Sequence, residues 1–198
     1  MKKKPTKLSM KIFYFMGFTI LIVAFIFLGT RNYTVKEVED AILFSKEYRN
    51  ISHDNHFQVL SSYETLNLLE RGTGLLFFGF SENEWSSAIA ELLDQVSREM
   101  DYSVAYYNFL EDRNKKHDNY QGIVREVDQY LVLDDLKKMD LHAPLVVGVI
   151  KGNVVFFDDE TSFTLSQDNP KSYWTEEKKL EKKEEYREVI RLLQKENQ

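Results

Sequence analysis

The sequence predicts an α/β domain, a mixed sheet flanked by helices, preceded by one N-terminal transmembrane helix. Three observations carry this expectation. An uncharged run of 19 residues follows a lysine-rich start. Beyond it, short apolar stretches alternate with stretches whose apolar residues recur every three or four positions. Near the end, two apolar stretches are separated only by Lys151-Gly152-Asn153, the signature of an antiparallel hairpin.

The first element is Ile12–Thr30, "IFYFMGFTILIVAFIFLGT". As a helix it would span roughly 28 Å, close to the hydrocarbon core of a bilayer. Residues 1–11 hold Lys2, Lys3, Lys4, Lys7 and Lys11 and no acid. By the positive-inside rule this basic segment is cytoplasmic and the rest extracytoplasmic, a single-pass signal anchor in the cell membrane. A cleaved signal peptide is the alternative; the run is long for one and no A-x-A pattern follows it. A buried soluble helix would show a polar face, and this segment has none.

Residues 31–56 read as a juxtamembrane helix and linker, and 57–198 as the folded domain. Three capping boxes, Thr34/Glu37, Ser61/Glu64 and Ser81/Glu84, mark helix starts. The first opens a helix to about Arg49. The second opens one carrying Leu66 and Leu69 and stopped by Gly72. The third opens one with Trp85, Ile89, Leu92, Val96 and Met100 on a single face. Strands are expected at Phe57–Leu60, Leu75–Phe80, Val104–Phe109, Leu145–Ile150 and Val154–Phe157. Leu75–Phe80 is apolar throughout and suits a central strand. Glu111–Asn119 reads as a charged loop, Tyr120–Leu131 as a helix. Thr175–Asn197 reads as a Glu/Lys-rich helix docked through Tyr186, Val189, Ile190 and Leu193.

Composition excludes several functions. There is no cysteine, hence no disulfide, thiolate chemistry or Cys-ligated metal. Of 26 basic residues six lie in Met1–Arg31, leaving 20 against 32 acids, a balance of −12. A domain this acidic is a poor partner for a nucleic acid. No cofactor is expected. His53, Asp54 and His56 have metal-like spacing, but no further ligand cluster supports a site. Ser86 or Ser87 with His142 would make a hydrolase pair, without a G-x-S-x-G motif or an orienting acid.

The element order and two stretches resemble the thioredoxin superfamily. Membrane-bound and secreted bacterial members carry an apolar strand, Gly-Phe, a short turn and Cys-x-x-Cys at a helix start. "GLLFFGFSENEWSSAIAELL" follows that outline, with Asn83 and Ser86 at the two cysteine positions and Glu84 and Trp85 between them. "LHAPLVVGVIKGNVVFF" resembles the cis-proline loop and final hairpin, with Pro144 as the cis-proline and Ala143 before it. The resemblance covers Phe57 to Gln198. It implies a thioredoxin-like fold, and it places Phe77 where members keep a buried acid. Thiol–disulfide exchange needs an attacking thiolate and a resolving thiol. An amide and a hydroxyl supply neither, so redox catalysis by this chain alone is excluded.

What the resemblance leaves is a binding face of Asn83, Glu84, Trp85, Ser86, Ala143 and Pro144. Members pair an extended peptide with the backbone beside the cis-proline. The expected function is therefore a membrane-anchored, extracytoplasmic, redox-inactive binding module, chaperone-like or for assembly. Its expected partners are an exported peptide or membrane protein, and the lipid bilayer through residues 12–30. Two alternatives stay open: an accessory to disulfide chemistry or bacteriocin export that relies on a partner's cysteines, and a structural protein whose contacts come from the juxtamembrane and C-terminal helices. Trp85 is either the anchor of the binding face or part of the core.

Overall fold

A computed structural model of the chain describes residues 18–19, 36–132, 139–162 and 169–196. The chain divides into two compact units, Met1–Glu39 and Asp40–Gln198. Among the described residues no helix is long and apolar enough to cross a membrane. The expected span over 12–30 lies outside the described residues, apart from Phe18 and Thr19, both helical. Thr34, the expected first cap, lies outside them too.

The described helix over 36–47 (α1) runs into the second unit. There follow β1 (Phe57–Val59), α2 (Ser62–Arg71), β2 (Gly74–Phe78), α3 (Glu84–Met100) and β3 (Val104–Tyr107). The short α4 (Leu110–Lys115) precedes α5 (Asp118–Val127), which ends in a 3-10 turn at Asp128–Tyr130. Then come β4 (Leu145–Ile150), β5 (Asn153–Asp158), α6 (Pro170–Tyr173) and α7 (Glu176–Glu196). The sheet order is β1-β3-β2-β4-β5. The first three strands are parallel, and β4 and β5 run antiparallel to their neighbours. This is the α/β mixed sheet flanked by helices that the sequence predicts, with β2 at its centre.

Alternation along the strands builds two cores. Leu75, Phe77, Val104, Tyr106 and Val146 face α1, α3 and α7, where they meet Phe44, Ile89, Leu93, Tyr186 and Ile190. Leu76, Phe78, Tyr107, Leu145 and Val147 face α2 and α5, meeting Leu69, Ile123 and Val127. Each fully buried Leu or Phe of β2 contributes about 1.5–3 kcal/mol. Phe44, Tyr48 and Ile51 are part of the first core, so the segment expected to be juxtamembrane helix and linker supplies three apolar side chains to it.

Local signals explain most element ends. Ser61 and Glu64 form the reciprocal cap of α2, which stops at Gly72 as expected. Asp101 adopts a left-handed conformation (φ 47°) and closes α3. In the β4–β5 turn, Lys151 and Gly152 both have positive φ (50° and 78°). A Cβ on Gly152 would lie 2.2 Å from Glu70 O, so only glycine fits this approach to the end of α2.

Three expectations need correction. The cap of α3 is Asn83, not Ser81, because the helix starts at Glu84, which makes Glu84 its first residue and not the third that a capping box needs. The expected loop at Glu111–Asn119 contains α4 and the first residues of α5. Within α4, Glu111 pairs with Lys115 one turn on, and Asn108 accepts a hydrogen bond from Leu110 N at 3.1 Å. Finally, α6 was not expected, although Asn169 before Pro170 is a helix-start signal: the Asn169 side chain accepts from Lys171 N at 2.8 Å.

Candidate functional site

The C-terminal ends of β2 and β3 and the start of β4 lie at one end of the sheet, and the candidate face forms there. From β2 the chain passes Gly79 and turns into α3. A Cβ on Gly79 would lie 2.8 Å from the Phe77 ring and 3.1 Å from Ser86 Oγ, so a larger residue here would have to shift the buried Phe77 ring. Asn83 caps the helix: its Oδ1 accepts from Trp85 N at 2.9 Å and Ser86 N at 3.1 Å.

The same side chain reaches the other loop. Asn83 Nδ2 donates to Ala143 O at 3.0 Å. The Ala143–Pro144 peptide bond is cis, as the resemblance implies. Asn83 therefore bonds the helix start to the residue before the cis-proline. Ala143 and Pro144 are buried. The Ser162 hydroxyl donates to Pro144 O and lies 3.5 Å from His142 O. The loop's carbonyls thus have internal partners.

The other expected site residues differ in placement. Glu84 is exposed in the first turn of α3. Trp85 is half-buried, packed against the first core and edge-on to Tyr173 (5.4 Å, 76°). Tyr173 is fixed in turn: its hydroxyl donates to Glu160, and Lys178 Nζ lies 3.4 Å from its ring centroid. Burial first, then the Glu160 carboxylate, pushes the Tyr173 phenol up to about 12. Ser86 is fully buried, and its hydroxyl has no hydrogen-bond partner among the described residues. It forms no pair with His142. Phe77, where the resemblance would put an acid, is fully buried among Tyr48, Phe57 and Tyr106.

The histidines of the "SHDNH" stretch diverge. His53 Nδ1 lies 2.6 Å from Ser45 Oγ, and His56 Nδ1 lies 3.8 Å from the Asp101 carboxylate. Asp54 pairs with Arg98 at 2.9 Å. Among the described residues no group of three His, Cys, Asp or Glu could hold a metal ion.

Two residues at this end of the sheet escaped sequence reasoning. Glu47, at the end of α1, accepts from Tyr106 OH at 2.5 Å, from Asn108 Nδ2 at 2.7 Å, and from the Ser81 backbone. Burial raises its pKa, and the Tyr106 and Asn108 hydrogen bonds oppose that rise only in part. A cleft of about 440 Å³ opens beside it, between Lys46, Arg49, Glu82 and Ser87. The second residue is Arg113 of α4, whose guanidinium lies over the rings of Phe80 and Phe109. Glu47 meets partners distant in the chain, and Arg113, which has Phe109 four residues before it, is brought to this end of the sheet by its contacts with Phe80 and Leu141.

No protein-family model matches the chain, and a search of the curated proteins finds no match. The fold itself, a five-stranded mixed sheet with helices on both faces, is compatible with a thioredoxin-like arrangement, and the chain has no cysteine. Chemically, the face holds amides, a buried hydroxyl and half-buried aromatic rings. It can donate and accept hydrogen bonds and cover apolar groups. It offers no thiol to attack a disulfide.

Proposed function

We propose that this chain is a redox-inactive thioredoxin-like protein, anchored in the cell membrane with its domain extracytoplasmic, that binds an exported peptide or membrane protein. The observation that carries this reading is the Asn83–Ala143 hydrogen bond beside the cis Ala143–Pro144 peptide. An amide at the first cysteine position now joins the two loops that thioredoxins use to hold a substrate. That supports a face kept in shape after its thiol chemistry was lost. The uncharged 12–30 run behind a lysine cluster supports the anchor. The half-buried Trp85 supports a partner contact, since Trp is enriched among interface hot spots.

The test is site-specific crosslinking in cells from a photoreactive residue at position 85 of the full chain. The expected result is one defined trapped species, lost in a variant carrying Asn83→Ala as well. Trapping from position 180 on α7, with none from position 85, would refute the reading and favour a structural role for the C-terminal helix. Protease added to intact cells tests the topology: a protected domain refutes the extracytoplasmic assignment.

A further inference from the structure

The end of the sheet that carries Asn83 and Pro144 also carries a cation supplied by neither loop. Arg113 sits with its guanidinium 5.2 Å from the Phe109 ring centroid and 5.8 Å from that of Phe80. The two rings meet edge to face at 5.6 Å. Phe80 leads directly into the Ser81–Asn83 turn. Leu141, whose carbonyl accepts from Arg113 Nη1 at 3.4 Å, leads directly into His142-Ala143-Pro144. The guanidinium therefore touches the roots of both loops that build the candidate face.

Among the described residues its donors are mostly unused. A guanidinium carries five N–H groups in a fixed fork. Arg113 gives one of them, at long range, to a carbonyl. Among the described residues no carboxylate pairs with it. The acids of its own helix are engaged elsewhere: Glu111 with Lys115, and Asp112 with the Tyr107 hydroxyl at 2.6 Å. Asp140, just ahead of Leu141, accepts from the Tyr120 hydroxyl and from Leu141 N. By contrast, Arg98 is bonded to Asp94 and Asp54, and Arg187 to Glu99 and Glu184. Two aromatic rings hold the Arg113 fork in place before any ligand arrives, which lowers the ordering cost of a planar, two-point contact.

We propose that Arg113 is a carboxylate-binding subsite of this face, taking an Asp or Glu side chain or the chain end of the bound peptide. The proposal rests on the peptide-binding reading above and names the chemistry of its ligand. The domain's excess of acids does not gather free anions from solution. The carboxylate must therefore arrive on a peptide that other contacts also hold.

The experiment uses the full chain in detergent micelles and a library of random decapeptides, made once with free chain ends and once amidated. The expected result is enrichment of acid-bearing peptides over their amide counterparts by about tenfold, the scale of one charge-assisted two-point contact. Enrichment confined to Asp and Glu positions assigns the side chain as the source; enrichment confined to the free-ended library assigns the chain end. In Arg113→Gln the preference falls to within twofold while neutral peptides still bind. Arg113→Lys, which keeps the charge and loses the fork, retains part of the preference. Urea midpoints of both variants monitor the fold. Binding without acid preference, or a preference that survives Arg113→Gln, overturns the subsite and leaves the peptide-binding reading intact. No binding by either library overturns both.

Discussion

Asn83 tests how the candidate face is held together. Replacing it with alanine removes two contributions at once. Loss of the cap to Trp85 N and Ser86 N costs about 0.5–2 kcal/mol. Loss of the donor to Ala143 O leaves a carbonyl of a buried residue without that partner, about 1–3 kcal/mol. Asn83→Ala should therefore destabilise the domain by about 1.5–5 kcal/mol, with a fall in Tm of about 3–20 °C for a unit of this size. Asn83→Asp separates the two parts. Aspartate keeps the acceptor for the helix and adds a favourable charge at its N-terminus. Ionised, it cannot donate to Ala143 O. At pH 7 only the loop bond is lost, at a cost of about 1–3 kcal/mol, and protonating the new carboxyl at low pH restores a donor. Urea unfolding followed by circular dichroism reads both values, with unchanged m as the sign that only stability moved. A cost below about 0.5 kcal/mol for Asn83→Ala, or an Asn83→Asp variant as stable as the parent at pH 7, would refute the double role.

Three further outcomes are expected. The Lys182 ammonium lies 2.6–3.3 Å from Glu185, Glu160 and Asp158, and both its side chain and that of Asp158 are almost fully buried. Lys182→Met should cost about 3–5 kcal/mol by stranding Asp158, and Asp158→Asn in the same chain should recover part of it; equal losses in single and double variants would refute this. Burial raises the Glu47 pKa above its value in the unfolded chain, so its carboxyl favours the folded state at low pH. That contribution is present below the unfolded pKa and is lost as pH rises through the folded one. Glu47→Gln, which keeps an acceptor for Tyr106 and Asn108, should flatten this slope; an unchanged Tm profile between pH 4 and 7 would refute the assignment. Ser86→Ala removes a buried hydroxyl with no hydrogen-bond partner among the described residues and should raise stability by about 1 kcal/mol in the same urea assay, whereas a loss would reveal a partner for that hydroxyl.

The fold was legible where sequence and packing agree. The apolar run of β2 marks a central strand because both faces are covered, and Lys151-Gly152-Asn153 marks the hairpin because its φ values demand such residues. The Ser61/Glu64 box reads correctly because both halves of the cap lie within four residues. Ser81/Glu84 has the same pattern and misleads, because Asn83 caps the helix instead; Asn83 also bonds Ala143, sixty residues on. The cap itself is local, Asn83 to Trp85 N and Ser86 N, and only the bond to Ala143 goes unreported by any local pattern. The short α4 has a single apolar residue, Leu110, and so shows no period to detect. Glu47 and Arg113 belong to the same class of omission. Each lies on a helix whose local pattern is unremarkable, and each is placed at the face by sheet topology.

The internal bonds of the cis-proline loop constrain how a peptide could be held. Strand addition at this loop in thioredoxins uses backbone groups of the residue before the proline. Here the carbonyl of that residue accepts from Asn83, and Pro144 O accepts from Ser162. A peptide that pairs with Ala143 O meets a carbonyl that already has one donor, and the second bond it can add is a neutral one with a net gain of only about 0.5–1.5 kcal/mol. Affinity then has to come from groups the fold leaves less engaged. The half-buried Trp85–Tyr173 pair on one side of the loop offers apolar surface, and Arg113 on the other offers donors unused among the described residues. Peptide binding here should therefore depend on side chains more than on backbone pairing, and so should be selective for sequence, unlike substrate capture by a thiol, which selects for cysteine. Substituting N-methyl residues into a bound peptide measures this directly. Loss of binding at two or more alternate positions would show strand pairing to dominate and would overturn the argument; retention, with sensitivity to Trp85→Ala, is the expected result.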